Sequence, residues 1–143
     1  SRRLYFRRAM PKPARKARIL IVDDDRDCLQ VVAESLKDYE VLPLSEGEGA
    51  VGLAREFGPD LLILDIQLRD TDGFTLCRDL KGRRGTSKVP VVFLSGLSGG
   101  DDFLAAFSAG GSVYLTKPLD PAELRRVVAD LLTDKASGRF DVA

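Results

Sequence analysis

The sequence predicts an α/β fold: a doubly wound, five-stranded parallel sheet of strand order 2-1-3-4-5, covered by helices on both faces. Three observations predict it. Short runs that are apolar on both sides of the pleat recur at Ile19-Leu20-Ile21-Val22, Leu61-Leu62-Ile63-Leu64, Val91-Val92-Phe93-Leu94 and Val113-Tyr114-Leu115-Thr116. Such runs suit strands buried under helices on both faces. Stripes of helical period separate them. Right-handed crossovers between parallel strands then wind the chain into an open sheet, and at this size the order 2-1-3-4-5 is the common solution.

The elements follow in order. After the first run, Leu29, Val32, Ala33 and Leu36 keep the i, i+3, i+4, i+7 spacing of an amphipathic helix. Glu40 to Leu44 is a second strand, and its Pro43 argues for an edge position. Ala50, Leu53, Ala54 and Phe57 form the next stripe, ended by Gly58-Pro59. The Leu61 run is followed by a Thr71-Asp72-Gly73 turn and a helix carrying Phe74, Cys77 and Leu80. A Gly/Arg loop from Gly82 to Gly85 precedes the fourth strand. Ser98-Gly99-Gly100 leads into a helix with Phe103, Leu104 and Phe107, closed by Gly110-Gly111. After the fifth strand, Asp120-Pro121-Ala122-Glu123 is a helix start: a capping acid, a proline in the first turn and a glutamate three residues after the cap. Leu124, Val127, Val128, Leu131 and Leu132 make that helix's inner face.

At 143 residues the chain holds about one domain. We expect a basic extension over residues 1–17, a folded unit over 18–134 and a tail over 135–143. Residues 1–18 carry eight basic and no acidic side chains, and the remaining 125 carry 14 basic and 22 acidic, a net of −8. Arg interleaves with Tyr and Phe in the extension, as in some nucleic-acid-binding arms, but a solvated tail is the better reading. Met10 is a candidate natural start. No apolar run approaches the ~20 residues needed to cross a bilayer, and no apolar segment follows the basic start as a secretory signal requires. The expected location is cytoplasmic. Cys28 and Cys77 are isolated and lack metal-ligand spacing.

There is no histidine. A Ser-His-Asp triad, a Cys-His pair and any His-ligated zinc are excluded. Metal chemistry must use oxygen ligands, which favours hard cations such as magnesium, with manganese as a substitute.

The chemistry lies where the strands end. The four apolar runs are followed by Asp23-Asp24-Asp25, Asp65, Ser95 and Lys117. In an open α/β sheet the ligand sits at the carboxyl ends of the strands, at the switch point between strands 1 and 3. Asp23, Asp24 and Asp65 meet there. Three carboxylates at close range raise one another's pKa unless a cation neutralises them. Capping of the first helix would account for Asp23 to Asp25 alone, but not for Asp65 or Lys117 on other strands. The Lys117 ammonium can pair with Asp65, Ser95 offers a hydroxyl at similar height, and Gly96 leaves room beside Asp65. Lys117-Pro118 is a candidate cis peptide.

Ile19 to Asp25, Leu62 to Leu68, Asp72-Gly73-Phe74, Phe93 to Gly96 and Tyr114 to Pro118 together resemble a two-component response regulator receiver domain, the CheY-like superfamily with its flavodoxin-like three-layer sandwich. The resemblance covers about residues 18–133. It implies a phosphoacceptor switch rather than a turnover enzyme. Asp65 would accept a phosphoryl group from a phosphohistidine. Asp24 would bind magnesium directly, Asp23 through water and Gln67 through its main-chain carbonyl. Lys117 would hold a phosphoryl oxygen, and the main chain of Gly96 and Ile66 would contact the phosphoryl group. Ser95 would follow that group inward, and Tyr114 would turn inward behind it. This would remodel the face formed by the fourth helix, fifth strand and fifth helix.

Implied partners are a histidine kinase or phosphotransfer protein, a downstream protein target, and a second copy through that same face. No membrane partner and no DNA-binding domain are implied for this chain. Ser137-Gly138-Arg139 resembles the start of a linker, so a stand-alone regulator and a piece of a larger regulator or hybrid kinase both stay open. Three departures stand out. Arg69 replaces the usual proline, which predicts a more mobile loop. Gly96 replaces the usual alanine. Leu97 is apolar at a position that flanks the phosphoryl group. Two alternatives remain. One is a degenerate receiver that only binds partners. The other is a magnesium-dependent aspartyl phosphatase resembling the haloacid dehalogenases, which would need a second aspartate where Gln67 stands.

Overall fold

The ten elements alternate without exception: β1 (Arg18–Val22), α1 (Arg26–Ser35), β2 (Glu40–Leu44), α2 (Ala50–Phe57), β3 (Leu61–Asp65), α3 (Gly73–Lys81), β4 (Val91–Ser95), α4 (Gly100–Ser108), β5 (Val113–Thr116) and α5 (Pro121–Ser137). The structure is a computed structural model and describes residues 15–96 and 100–137. Residues 1–14 with Met10, Leu97 with the Ser98-Gly99 turn, and the tail from Gly138 lie outside the described residues, as does the side chain of Phe103.

The five strands form one parallel sheet of order β2-β1-β3-β4-β5. Side chains alternate across each strand, so one strand feeds two cores. Leu20, Val22, Leu62, Leu64, Val91 and Phe93 face α2, α3 and α4, meeting Ala54, Leu80 and Ala106. Ile19, Ile21, Leu61, Ile63, Val92 and Leu94 face α1 and α5, meeting Val32, Leu36, Leu124 and Val128. β1, β3 and β4 are buried almost throughout because they are covered on both faces. Burying one such aliphatic side chain is worth roughly 1.5–3 kcal/mol. β2 is one of the two edge strands, and its exposed Pro43 lies opposite Ile21.

Three helical stripes differ from expectation. In α1, Ala33 is exposed and Ser35 is buried. Ser35 tolerates burial because its hydroxyl donates to Val31 O at 2.6 Å. In α2, Leu53 is exposed, and Val51 packs on the core in its place. In α4, Leu104 and Phe107 are 68% and 52% exposed, and the small Ala106 faces the sheet with Ala109 just beyond the helix.

The helix starts are those read from the sequence. Asp72 Oδ1 accepts from Thr75 N at 2.8 Å, and Asp120 Oδ1 accepts from Ala122 N at 3.0 Å. Cys28 and Cys77 are buried free thiols.

Candidate functional site

Four of the five strands, all but β2, each deliver one residue to the same edge. Asp23 directly follows β1, and its amide donates to Leu44 O at 2.9 Å, extending the ladder by one residue. Asp65 is the last residue of β3 and lies opposite Leu94. Ser95 ends β4 opposite Thr116, and its carbonyl accepts from Lys117 N at 2.7 Å. The Lys117-Pro118 peptide is cis.

The carboxylates converge. One oxygen from each of Asp23, Asp24 and Asp65 lies within 4.8 Å of the others. Lys117 Nζ donates to Asp65 Oδ2 at 2.7 Å and stands 2.9 Å from Asp23 Oδ2. Asp25 Oδ2 is further out, at 3.9 Å. Asp25 itself caps α1, accepting from Asp27 N and Cys28 N. The cap explanation thus applies to Asp25 alone. Asp23 Oδ1 accepts from Asp25 N at 2.9 Å, and Asp65 Oδ1 accepts from Gln67 N at 2.8 Å.

Burial separates the charges of the two acids. Asp23 is fully buried and Asp65 is 5% exposed. Burial alone would raise the pKa of Asp23, but Lys117 and the Asp25 amide outweigh it and hold it below the ordinary carboxylate value. For Asp65 burial wins over the same lysine, and its pKa is pushed up to about 6. The Cys28 thiol beneath them is raised by burial and by Asp23, so it stays protonated.

A stability prediction follows for the metal-free protein. A folded pKa above the unfolded value contributes stability that is fully present below the unfolded value and is lost as pH rises through the folded one. For Asp65 the window runs from 3.8 to about 6. Above it, the buried charge costs up to roughly 3 kcal/mol. Asp65→Asn is expected to stabilise the metal-free protein by about 1–3 kcal/mol at neutral pH, with the gain fading toward pH 4. Urea unfolding in EDTA checks it; a mutant no more stable than wild type at neutral pH would contradict the raised pKa.

The residues suit a hard cation. Asp23, Asp24, Asp65 and Lys117 sum to a formal charge of −2, and every donor is oxygen. Asp23 Oδ2 is buried, and the Lys117 ammonium 2.9 Å away, shared with Asp65, is the charge that faces it among the described residues. Asp24 is only partly buried, and Arg69 Nε lies 3.8 Å from its Oδ2.

Other predicted residues are placed less uniformly. Ser95 is fully buried and Gly96 exposed, side by side at the edge. The amide of Ile66, whose main chain the resemblance assigns to the phosphoryl group, donates to Leu94 O at 3.0 Å within the sheet, and the neighbouring Gln67 amide reaches the Asp65 carboxylate. Tyr114 is half-buried and packs on the α2-α3-α4 core.

The loop after Asp65, expected to be loosened by Arg69, is tied down. Asp70 accepts from Gly47 N at 3.0 Å and Glu48 N at 2.7 Å, joining it to the β2–α2 loop, and these bonds lower the Asp70 pKa. Gly73 N donates to Ile66 O at 3.0 Å at the other end. Asp70 was not singled out from the sequence, and Cys28 was read there only as an isolated cysteine without metal-ligand spacing. Only the acid just before the Thr71-Asp72-Gly73 turn hinted at the first.

Among the described residues, no helix is long and apolar enough to cross a membrane.

Residues 19–129 match the model of the response regulator receiver domain. The chain is 35% identical over 135 residues to the response regulator PleD of Caulobacter vibrioides, covering 86% of this chain and 30% of that protein. It is 38% identical over 117 residues to the DNA-binding dual master transcriptional regulator RpaA of Synechocystis, covering 80% of this chain and 48% of that one. The chain thus spans less than half the length of these two relatives. Among solved structures, a two-component response regulator from Clostridium difficile aligns with a TM-score of 0.77 at 32% identity, covering 82% of this chain and 97% of that one. The receiver domain of a sensor histidine kinase from Pseudomonas aeruginosa, with magnesium coordinated in its active site cleft, aligns with a TM-score of 0.76 at 26% identity, covering 83% and 99%. A four-residue constellation at the switch point, the observed strand order and these matches agree, and the chain belongs to the response regulator receiver domains of two-component systems.

Proposed function

We infer that Asp65 is the phosphoacceptor of a signalling switch. The observation that carries this reading is the position of its carboxylate: buried at the switch point, gripped by Lys117 on one oxygen and by the Gln67 amide on the other. In the transfer, an Asp65 oxygen attacks the phosphorus of a partner's N-phosphoimidazole. The P–N bond breaks, and the imidazole leaves with the electron pair and takes a proton. An acyl phosphate remains. Such transfers need positioning and charge neutralisation more than acid-base chemistry. The missing histidine fits, because the donor imidazole belongs to a kinase or phosphotransfer protein.

Each residue has a part. Asp65 must be ionised to attack. Lys117 holds it at rest and, as a phosphoryl oxygen arrives, can pair with the new charge. The Gln67 and Gly96 main chain flanks the group, and the Ser95 hydroxyl reads its arrival, with Tyr114 following. Asp24, Asp65 and the Gln67 carbonyl would hold a magnesium ion, with Asp23 behind them through water. Bound there, the ion supplies Lewis-acid neutralisation of the phosphoryl oxygens. The exposed Leu104 and Phe107 on α4 support the face of α4, β5 and α5 as the place where a target or a second copy docks.

Acetyl phosphate with magnesium is expected to add one phosphoryl group to the wild type and none to Asp65→Asn, read by intact-mass spectrometry. Equal labelling of the mutant would displace Asp65 from the role. Magnesium is also expected to raise the melting temperature by relieving carboxylate repulsion, with a smaller rise in Asp24→Asn. A wild type whose melting is unmoved by millimolar magnesium would argue against the cation site.

A further inference from the structure

A second site lies at the opposite end of the domain. A cleft of about 480 Å³ opens between the C-terminal half of α2 and the loop after α3. Its walls include Val51, Arg55, Arg83, Arg84 and Thr86, and among the described residues no carboxylate lines it. The volume lies within the roughly 300–1,000 Å³ of small-molecule sites. The cleft stands off from the acidic edge by the length of α3: Gly73 begins that helix beside Asp65, and Gly82 ends it at the cleft.

The charge is local and uncompensated. The stretch from Arg78 to Lys88 holds five basic residues and one acidic one, in a chain whose last 125 residues carry a net of −8. Among the described residues, the guanidinium groups of Arg55, Arg83 and Arg84 make no ion pair and no side-chain hydrogen bond. Helix polarity explains a basic residue at the end of α2, because a helix C-terminus carries about half a negative charge. Two such termini meet at this cleft. Their sum of about one negative charge is outweighed by three full positive ones. The Gly58 and Gly82 amides already cap carbonyls of those two helices, at 2.9 and 3.0 Å.

We propose that this arginine-lined cleft binds a small diphosphate-bearing ligand of nucleotide size. Three planar guanidinium forks match several phosphate oxygens at once, which lysines or a neutral pocket would not do. Val51 and Ala54 give an apolar wall for the rest of the molecule. Phosphoryl transfer at Asp65 plays no part in this binding.

The test is an amide-resolved NMR titration of the whole chain in EDTA, with ADP in one arm and inorganic pyrophosphate in the other. Saturable shifts are expected at Arg55 and from Gly82 to Thr86. Arg83→Gln and Arg84→Gln are each expected to weaken binding about tenfold. Asp65→Asn is expected to bind unchanged, which separates this result from any failure at the phosphoacceptor. ADP binding without pyrophosphate binding would place recognition in the nucleoside as well; pyrophosphate binding equally tightly would place it in the diphosphate alone, and both support the site. No saturable shift in either arm, shifts centred on Asp23 and Asp65, or affinity unchanged by both arginine replacements would overturn it. So would an acidic peptide that binds the arginines when neither phosphate does.

Discussion

Lys117→Met is expected to lower stability by about 3–5 kcal/mol at neutral pH in metal-free buffer. The methionine keeps the length of the side chain and deletes its charge. What it leaves behind is the problem. Lys117 Nζ is the cation 2.7 Å from Asp65 and 2.9 Å from Asp23. Removing one partner of a buried pair strands the other charge, and here two are stranded. The pH dependence follows from the shifts. Burial pulls the Lys117 pKa down, but the two carboxylates outweigh it and hold it above its ordinary 10.5. The stability contributed by the ammonium is therefore fully present at every pH below that value and fails only in strong alkali. Acid acts through the partners instead. The contribution of Asp23, whose pKa is lowered, is present above 3.8 and lost as pH falls through its folded value. The deficit of Lys117→Met should therefore shrink as the medium is acidified and the carboxylates protonate. Urea unfolding at neutral and acidic pH, with and without magnesium, tests it. Wild-type stability at neutral pH without metal would show that the lysine neutralises nothing.

This expectation has the opposite sign to that for Asp65→Asn, although both mutations remove one end of the same ion pair. The asymmetry is informative. Lys117 serves two acids, so its loss exposes two charges. Asp65 is one acid too many for one lysine, so its loss relieves the site. The double mutant should be less damaged than the lysine mutant alone, because the residues share partners and their effects do not add. A carboxylate that weakens the resting fold but is needed for transfer is what a site poised for a cation and a phosphoryl group requires.

The division between what the sequence showed and what it hid has a physical basis. Strands buried on both faces must be apolar throughout, so their polar ends stand out, and Asp23, Asp65, Ser95 and Lys117 were readable for that reason. The cap at Asp120 was readable because a cap is a local bond, and Asp72, read as part of a turn, proved to cap α3 in the same local way. Helix faces were less so. Ala33, Leu53, Leu104 and Phe107 obey helical spacing yet are exposed, because spacing gives a stripe's direction but not its width, and small residues such as Ala106 and Ala109 can bring a helix close to the sheet. Asp70 was hidden for another reason. Its work is done on the amides of Gly47 and Glu48, over twenty residues away in a different loop. Loop-to-loop bonds have no period. The arginines of the far cleft shared that fate, since Arg55 and Arg83 meet only through the packing of α2 against α3.

Gly73→Ala tests how tightly that loop geometry is held. A Cβ at residue 73 would sit 2.2 Å from Asp65 O, 2.9 Å from Asp65 C and 3.0 Å from Ile66 Cα. All three are main-chain atoms, so no flexible side chain can swing away. Gly73 N also donates to Ile66 O, which holds the two segments together. The substitution must therefore push the start of α3 away from the end of β3. Overpacking a core side chain costs about 1–3 kcal/mol, and a clash with fixed backbone belongs at or above the top of that range. The displaced atoms carry the Asp65 carboxylate and the Gln67 amide, so labelling by acetyl phosphate should slow as well, with every acidic residue intact. Gly52→Ala is the matched control. Gly52 lies inside α2, and a Cβ there would meet nothing within 4 Å. Helix propensity alone then acts, and that mutant should gain about 0.5–1 kcal/mol. Thermal melts of the two variants, read beside their labelling rates, distinguish a general intolerance of alanine from a contact at Asp65. If Gly73→Ala melted and labelled like wild type, the close approach of α3 to the phosphoacceptor strand would not be a feature of the molecule in solution.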